Sequence, residues 1–468
     1  MARGDSLSRR AGRWHPFERR HQSLPDRHPV HPSLGGVQPV PFASSLAVLS
    51  TPAFQFFLLS AISTTTGLWF FETTLYWIAL TRTGSATATG LILTALILPI
   101  LLLVVPIGVI TDRWGDRRLL PFSQGAWVVT MIVAASIASR GLLTFPVALG
   151  LALIEGLFDA VWVVPAQVLL ARVVDRPLMA KAIALGTLQV AFGRILGGYG
   201  AGHMLAIAGP TVTFLIGAGC LVVGFLAMAL VKPVHGLAAR HERATFSEGL
   251  RFVRKAPAAL ALYAIGSTTA LFLYGYLSIL PIVSRDLLHA GPQGLGLMTA
   301  AGGVATLAVV WIIDPLGRRF RRGTTLVASA VTASTAIGLL AASRSVALSV
   351  VLAGLITGTL IFYGATNTTL LQALAPPELR GRVLAFFGFA FWAIMPVGSV
   401  ASGYVADRLG VRTALVIMGL TAVASLGVIA IVYRPLVSLD VSSDGLFALR
   451  TRVQERGDAA QQEVVAIK

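Results

Sequence analysis

The chain has 468 residues, of which 55% are hydrophobic and 12% charged, and its mean hydropathy is +0.78. A soluble globular domain carries about 25% charged residues, so this composition excludes a water-soluble enzyme or binding module and describes a polytopic membrane protein. The formal net charge of +17 does not signal nucleic-acid binding, because Lys and Arg fall in alternate loops and in the tails and no basic helix is interleaved with aromatics.

Residues 1–50 are rich in Arg, His, Pro and Ser and contain no apolar core of signal-peptide type, which predicts a disordered cytoplasmic tail. His15, His21, His28 and His31 fit no helix face or ligand spacing, so no metal site is expected there. Twelve apolar stretches follow, each near the roughly 20 residues that a bilayer needs. They cover 53–80, 86–110, 119–139, 143–170, 179–207, 210–231, 257–283, 291–313, 324–342, 346–373, 383–406 and 412–433. The expected fold is all-α, with twelve transmembrane helices in an N-terminal six-helix bundle (51–231) and a C-terminal one (257–433). The linker 232–256 sets Phe246, Leu250 and Phe252 among Arg and Lys, the pattern of an amphipathic helix lying along the inner face. Residues 434–468 return to polar composition and read as a second tail. Cys220, the only cysteine, lies inside an apolar run, so neither a disulfide framework nor a thiolate metal site is expected.

Basic residues concentrate in the loops 111–118, 171–181, 232–256, 314–323 and 374–382. Because Lys and Arg are retained on the cytoplasmic side, this bias predicts a multi-pass protein of the cytoplasmic (inner) membrane with both termini inside. The chain also repeats at half length. A shift of 202 lays Gly108, Asp112, Gly115 and Arg117 onto Val310, Asp314, Gly317 and Arg319, and a shift of 201 lays Leu178, Lys181, Gly197 and Gly202 onto Leu379, Arg382, Gly398 and Gly403. A parallel duplication of this kind places a substrate site between the halves near mid-membrane.

The first basic loop reads Gly108-Val109-Ile110-Thr111-Asp112-Arg113-Trp114-Gly115-Asp116-Arg117-Arg118 between two spans, so it must be a tight hairpin at a membrane face. Gly108 removes a side chain one turn before the helix end and lets another helix approach. Gly115 permits a turn closed to bulkier residues. Asp112 is suited to meet a helix N-terminus or an arginine, which would latch two helices together. Position for position, this loop resembles the signature between helices two and three of the major facilitator superfamily, where it implies a conformational latch made by Gly108, Asp112, Arg113, Gly115, Arg117 and Arg118, with Asp314, Gly317 and Arg319 as its repeat.

Three more stretches narrow the resemblance: Pro165-Ala166 with Leu169-Leu170, the linker from Phe246 to Arg254, and Pro377-Glu378-Leu379-Arg380-Gly381-Arg382-Val383. With Pro396, Gly398, Gly403, Ala406 and Asp407 they resemble the branch that holds enterobactin exporters and macrolide-type efflux pumps. That resemblance implies export of a small amphipathic molecule, siderophore or drug-like, by alternating access driven by proton antiport. It implies no cofactor beyond the proton gradient and a monomer as the working unit. Drug-proton antiporters usually carry a Gly-Pro pair in the fifth helix, whereas this chain reads Gly193-Arg194-Ile195-Leu196-Gly197-Gly198 there. A proton-coupled importer, an uncoupled facilitator and a transport-inactive sensor of the same fold are the alternatives. An enzyme would need a catalytic cluster that the membrane segments lack.

Four ionisable residues fall well inside predicted spans: Glu72, Glu155, Asp159 and Arg194. A charge at the bilayer centre costs about 2.5–3.5 kcal/mol on insertion scales, so each requires a partner, a wet cavity or a function. Their counterparts one repeat later, Leu273, Ile356, Leu360 and Met395, are all apolar. Glu155 and Asp159 are four residues apart and share a helix face, and two carboxylates this close in low dielectric cannot both ionise cheaply. They are the expected proton-coupling pair, with Arg194 as counter-ion and Glu72 as an additional carboxylate. The same four charges would equally serve as a buried ion network. In the second half, Tyr274, Tyr276, Phe362, Tyr363, Asn367, Phe389 and Trp392 are the expected substrate-cavity wall.

Overall fold

The computed structural model describes residues 46–175, 178–232, 246–441 and 447–449. Of the tail expected over 1–50, residues 1–45, with the four histidines, lie outside the described residues, and Leu46–Ser50 forms a 3-10 helix. Four long helices open the chain: α1 (Pro52–Thr83), α2 (Ala86–Trp114), α3 (Asp116–Ser139) and α4 (Phe145–Val173). The fifth predicted span runs without a break through α5 (Met179–Phe192), a π-helical stretch (Gly193–Gly198) and α6 (Tyr199–Ile207). Helix α7 (Gly209–Ala229) closes the first half, and the linker contains α8 (Phe246–Lys255). The second half starts with α9 (Pro257–Thr268) and α10 (Tyr276–Ile282), each followed by a π stretch, Thr269–Leu273 and Val283–Leu287. It ends with α11 (Gly291–Arg319), α12 (Arg322–Ala342), α13 (Val346–Leu374), α14 (Arg380–Leu409) and α15 (Val411–Val432).

Eleven of these stretches are long and apolar enough, among the described residues, to cross a bilayer. The fifth predicted span, Met179–Ile207, is continuous helix through its π stretch, and with it the expected twelve are present. Among the described connections, one or two residues separate α1 from α2, α2 from α3, α11 from α12 and α14 from α15. Between α2 and α3 a single residue, Gly115, does so at φ 80°. Side chains strongly disfavour that backbone region, which is why a glycine stands there.

Both halves are built by the same pairings. In the first, α4 packs on α2 and α3, and α3 on α7; in the second, α13 packs on α11 and α12, and α12 on α15. The halves meet along two related seams, α2 against α14 and the fifth span against α11, with α10 also touching α2. Glycine makes these approaches close. A side chain at Gly403 would start 2.6 Å from the Ala86 carbonyl, and one at Gly296 would start 3.1 Å from the Cα of Gly202. In the fifth span Gly193 and Gly197 lie on α1, while Gly198 and Gly202 lie on α11.

The seams are covered unevenly. Helix α2 is buried from Ala86 to Ile97 but afterwards only at Ile107 and Thr111. On α14, Val383 is buried and then nothing until Met395, after which Gly398, Ser399, Ser402, Gly403 and Ala406 are. The two halves therefore close on each other at the end away from the basic loops and stand apart toward the basic end.

The segment read as a second tail opens with defined structure: Arg434–Ser438 forms a 3-10 turn, and β1 (Leu439–Val441) pairs antiparallel with β2 (Phe447–Leu449). This piece docks on α12, where Thr324 donates to the Val437 carbonyl at 2.9 Å and Gly323 leaves room for the Leu436 carbonyl.

Glycine packing in the first half is directly testable. A Cβ at Gly156 would collide with the backbone of Leu96, whereas one at Gly150 on the same helix meets nothing within 4 Å. Overpacking costs about 1–3 kcal/mol, so Gly156→Ala should lower the melting temperature of the purified protein in detergent and Gly150→Ala should not. Equal melting temperatures would contradict this packing.

Candidate functional site: an acidic cavity between the halves

A cavity of about 230 Å³ lies at the seam where the two halves begin to separate. Its first-half wall carries Trp69, Glu72 and Tyr76 from α1, Glu155 and Asp159 from α4, and Arg194 from the π stretch. Its second-half wall is neutral: Leu277 and Leu280 from α10, Leu295 and Thr299 from α11, Trp392 and Met395 from α14. The four membrane charges found in the sequence are thus brought to one place. Met395, the repeat counterpart of Arg194, faces it from the other half.

Local structure explains the gathering. Glu155 and Asp159 lie one turn apart on α4, and Gly156 between them lets α4 press against α2, which carries the acid pair up to the seam. Glu155 is 4% exposed and Arg194 8%, while Glu72 and Asp159 are half-buried. Arg194 sits in the first turn of the π stretch, where wider winding alters which face a residue presents.

Arg194 does not form the ion pair expected with an α4 carboxylate. Its guanidinium carbon lies 4.8 Å from the centre of the Trp69 ring, an arrangement in which the ring face stabilises the cation. Among the described residues no carboxylate pairs directly with Arg194. The cavity therefore holds three carboxyl groups and one cation at close quarters without a closed salt bridge.

Of the seven residues expected to form the neutral wall, Trp392 lines this cavity. Phe389 is one turn away on α14 and 43% exposed. Tyr274 packs edge-on against Phe391 with ring centres 5.0 Å apart. Tyr276 is 2% exposed and its hydroxyl is hydrogen-bonded to that of Thr357 at 2.6 Å. Phe362 faces a separate apolar groove among α11, α12 and α13. Tyr363 and Asn367 are buried in the second half, and neither polar atom of the Asn367 amide has a partner among the described residues. Tyr276, Phe362, Tyr363 and Asn367 do not line this cavity.

At the basic end, Asp112, Arg113, Arg117 and Arg118 are exposed and Gly108 has open space around it. The described ion pair of this loop is made by a residue the sequence reading passed over: Asp116, 1% exposed, accepts from Arg172 Nη1 at 2.5 Å. The signal was present, since Asp116 opens α3, where a carboxylate suits the helix start, and Arg172 ends α4 at the same membrane face. In the repeat loop Gly317 stands 3.7 Å, measured from a Cβ built on it, from the Arg322 guanidinium, and Arg319 lies over the Phe320 ring; the side chain of Asp314 is outside the described residues.

Two duplicated six-helix halves, closed at one end and separated at the other around a charged cavity, are the architecture of the major facilitator transporters. The chain belongs to the transmembrane secretion effector family, whose model matches residues 43–448. It is a multi-pass membrane transporter and not an enzyme. Among relatives, it is 25% identical over 380 residues to the multidrug efflux pump Tap of Mycolicibacterium fortuitum, covering 78% of this chain and 92% of that one. It is also 25% identical over 411 residues to the staphyloferrin A transporter of Staphylococcus aureus (84% and 99%). Macrolide efflux protein A of Streptococcus pyogenes matches at 26% over a shorter stretch, 35% of this chain and 41% of that one. The fold is shared with the nucleoside transporter NupG (TM-score 0.67, 12% identity, 82% of this chain and 99% of that one). A bacterial homologue of the lysosomal transporter Spinster, solved inward-facing and unoccupied, shares it too (TM-score 0.65, 15% identity, 82% and 98%).

The corrected wall makes a labelling prediction. With Cys220 replaced by serine, a cysteine at Trp392 should react with a hydrophilic maleimide and one at Asn367 should not. Labelling of both at similar rates would contradict the placement of Asn367.

Proposed function

We propose that this protein exports a small amphipathic molecule across the cytoplasmic membrane by alternating access, in exchange for protons. The observation that carries this reading is the cavity itself, in which Glu72, Glu155, Asp159 and Arg194 converge at the seam that must open and close. Three carboxyls and one guanidinium in a low-dielectric space reach electroneutrality with one carboxylate ionised and two protonated. Such a set holds protons when shut from water and exchanges them when wetted, as a coupling site must.

The cycle follows from that balance. Facing the external side, the acids take up protons as substrate leaves. Facing the cytoplasm, proton loss leaves excess negative charge between Trp69 and Trp392, which favours an amphipath that is cationic or carries a basic amine. The efflux proteins among the relatives support export, and the basic-loop bias supports an orientation in which the separated end faces the cytoplasm. The chain acts as a monomer, with the proton gradient as its sole energy source.

The test is gradient-driven efflux of erythromycin and ethidium from cells expressing the protein. Asp159→Asn should abolish it at unchanged expression, a loss of about tenfold or more in rate, and Glu155→Gln should do the same. Full-rate efflux with Glu155 and Asp159 both amidated would overturn the coupling assignment.

A further inference from the structure

The pattern Gly-x-x-x-Asp-Arg-x-Gly-x-Arg of 108–117 occurs again at the opposite membrane end, as Gly403, Asp407, Arg408, Gly410 and Arg412. The two turns share one backbone: Gly115 adopts φ 80°, ψ 151° between α2 and α3, and Gly410 adopts φ 85°, ψ 154° between α14 and α15. They differ in what their aspartates hold. Asp407 Oδ2 accepts from Ser85 Oγ at 2.5 Å, Thr87 Oγ1 at 2.6 Å and Thr87 N at 3.0 Å, and its Oδ1 accepts from Ala86 N at 2.6 Å. A carboxylate from the second half thus caps the first turn of α2, in the first half, at the positive end of the helix dipole.

A second charge holds the other side of the same hairpin. Arg285, from the π stretch after α10, donates from Nη1 to the Leu80 carbonyl at 3.1 Å, near the negative end of α1. The α1–α2 tip is therefore gripped by an anion where α2 starts and, where α1 ends, by an arginine whose remaining donors pair with its neighbour Asp286. Thr89 Oγ1 donates to the Ser278 carbonyl at 2.6 Å one turn deeper, and Gly403 brings the two backbones together beside it. At the basic end the arrangement is vacant: Asp112 is exposed with no partner among the described residues, and the start of α14 has no side-chain cap.

We propose that Asp407, assisted by Arg285, is the clasp that keeps the end opposite the basic loops shut. Opening that end requires the start of α2 to leave Asp407, so the carboxylate gives up four donors and the helix start loses its anion. The strength of this cap sets how often the end opens, and it acts on the seam without touching the acidic cavity. The proposal stands independently of substrate, direction and proton coupling.

Pulsed electron–electron resonance between spin labels at Leu142 and Arg344 tests it, on the purified full chain with Cys220 replaced by serine. Both sites are exposed, in loops of the two halves at the clasped end. Asp407→Asn should raise the long-distance, open population by about tenfold; Arg285→Gln should shift it in the same direction by less, and Asp112→Asn should not lengthen it. Should Asp407→Asn fail to fold, the Ser85→Ala, Thr87→Ala double variant removes two donors, keeps the carboxylate, and should move the distribution the same way. Wild-type distributions in the folded variants among these, or equal lengthening by Asp112→Asn, would overturn the clasp.

Discussion

Glu72, Glu155, Asp159 and Arg194 face a common cavity inside helices whose outer surfaces must satisfy lipid, and a bare charge in that setting costs about 2.5–3.5 kcal/mol or more. Much of the molecule follows from accommodating them. Trp69 offers its ring to the one cation, α4 places its two acids on a single face, and Gly156 lets that helix sit close enough to α2 for the acids to reach the seam. A π stretch under Arg194 sets the guanidinium toward the cavity instead of toward lipid.

Duplication supplied the frame and divergence supplied the chemistry. Leu273, Ile356 and Leu360, the counterparts of Glu72, Glu155 and Asp159, are fully packed in one apolar core of the second half. That half presents a neutral, largely apolar face to the cavity, and the first half carries the cavity's charge. In the proposed alternating-access cycle the two separate first at one membrane end and then at the other. The asymmetry would leave the ion chemistry on one side of that moving seam, where a change in wetting acts on all four groups together.

The number and placement of the spans could be read from the chain because lipid admits few alternatives to long apolar helices. The acid cluster was legible for the complementary reason that charges inside such helices are rare enough to stand out. Which face each helix presents was not legible. Spans such as α1 and α4 are apolar nearly all round, so residues like Tyr276, Tyr363 and Asn367 gave no sign that they turn into the second-half core, while Trp392 lines the cavity. Arg194 stood out with the acids, but its contact with Trp69 did not, since that approach is made from a π stretch that no spacing rule announces. The docked turn and hairpin after residue 433 were passed over because their few apolar residues are too short a run to announce an element, yet Leu436 and Leu439 bury in the second-half core, Gly323 makes room for the Leu436 carbonyl and Thr324 donates to Val437.

The central claim is export through the acidic cavity, and the most direct measurement compares small molecules in cells and medium of the native host carrying the wild-type gene, a deletion, or the Asp159→Asn allele. The account predicts a low-mass amphipathic compound that builds up inside cells and falls in the medium in both altered strains. A medium component left unconsumed by those strains would contradict it and make the protein an importer.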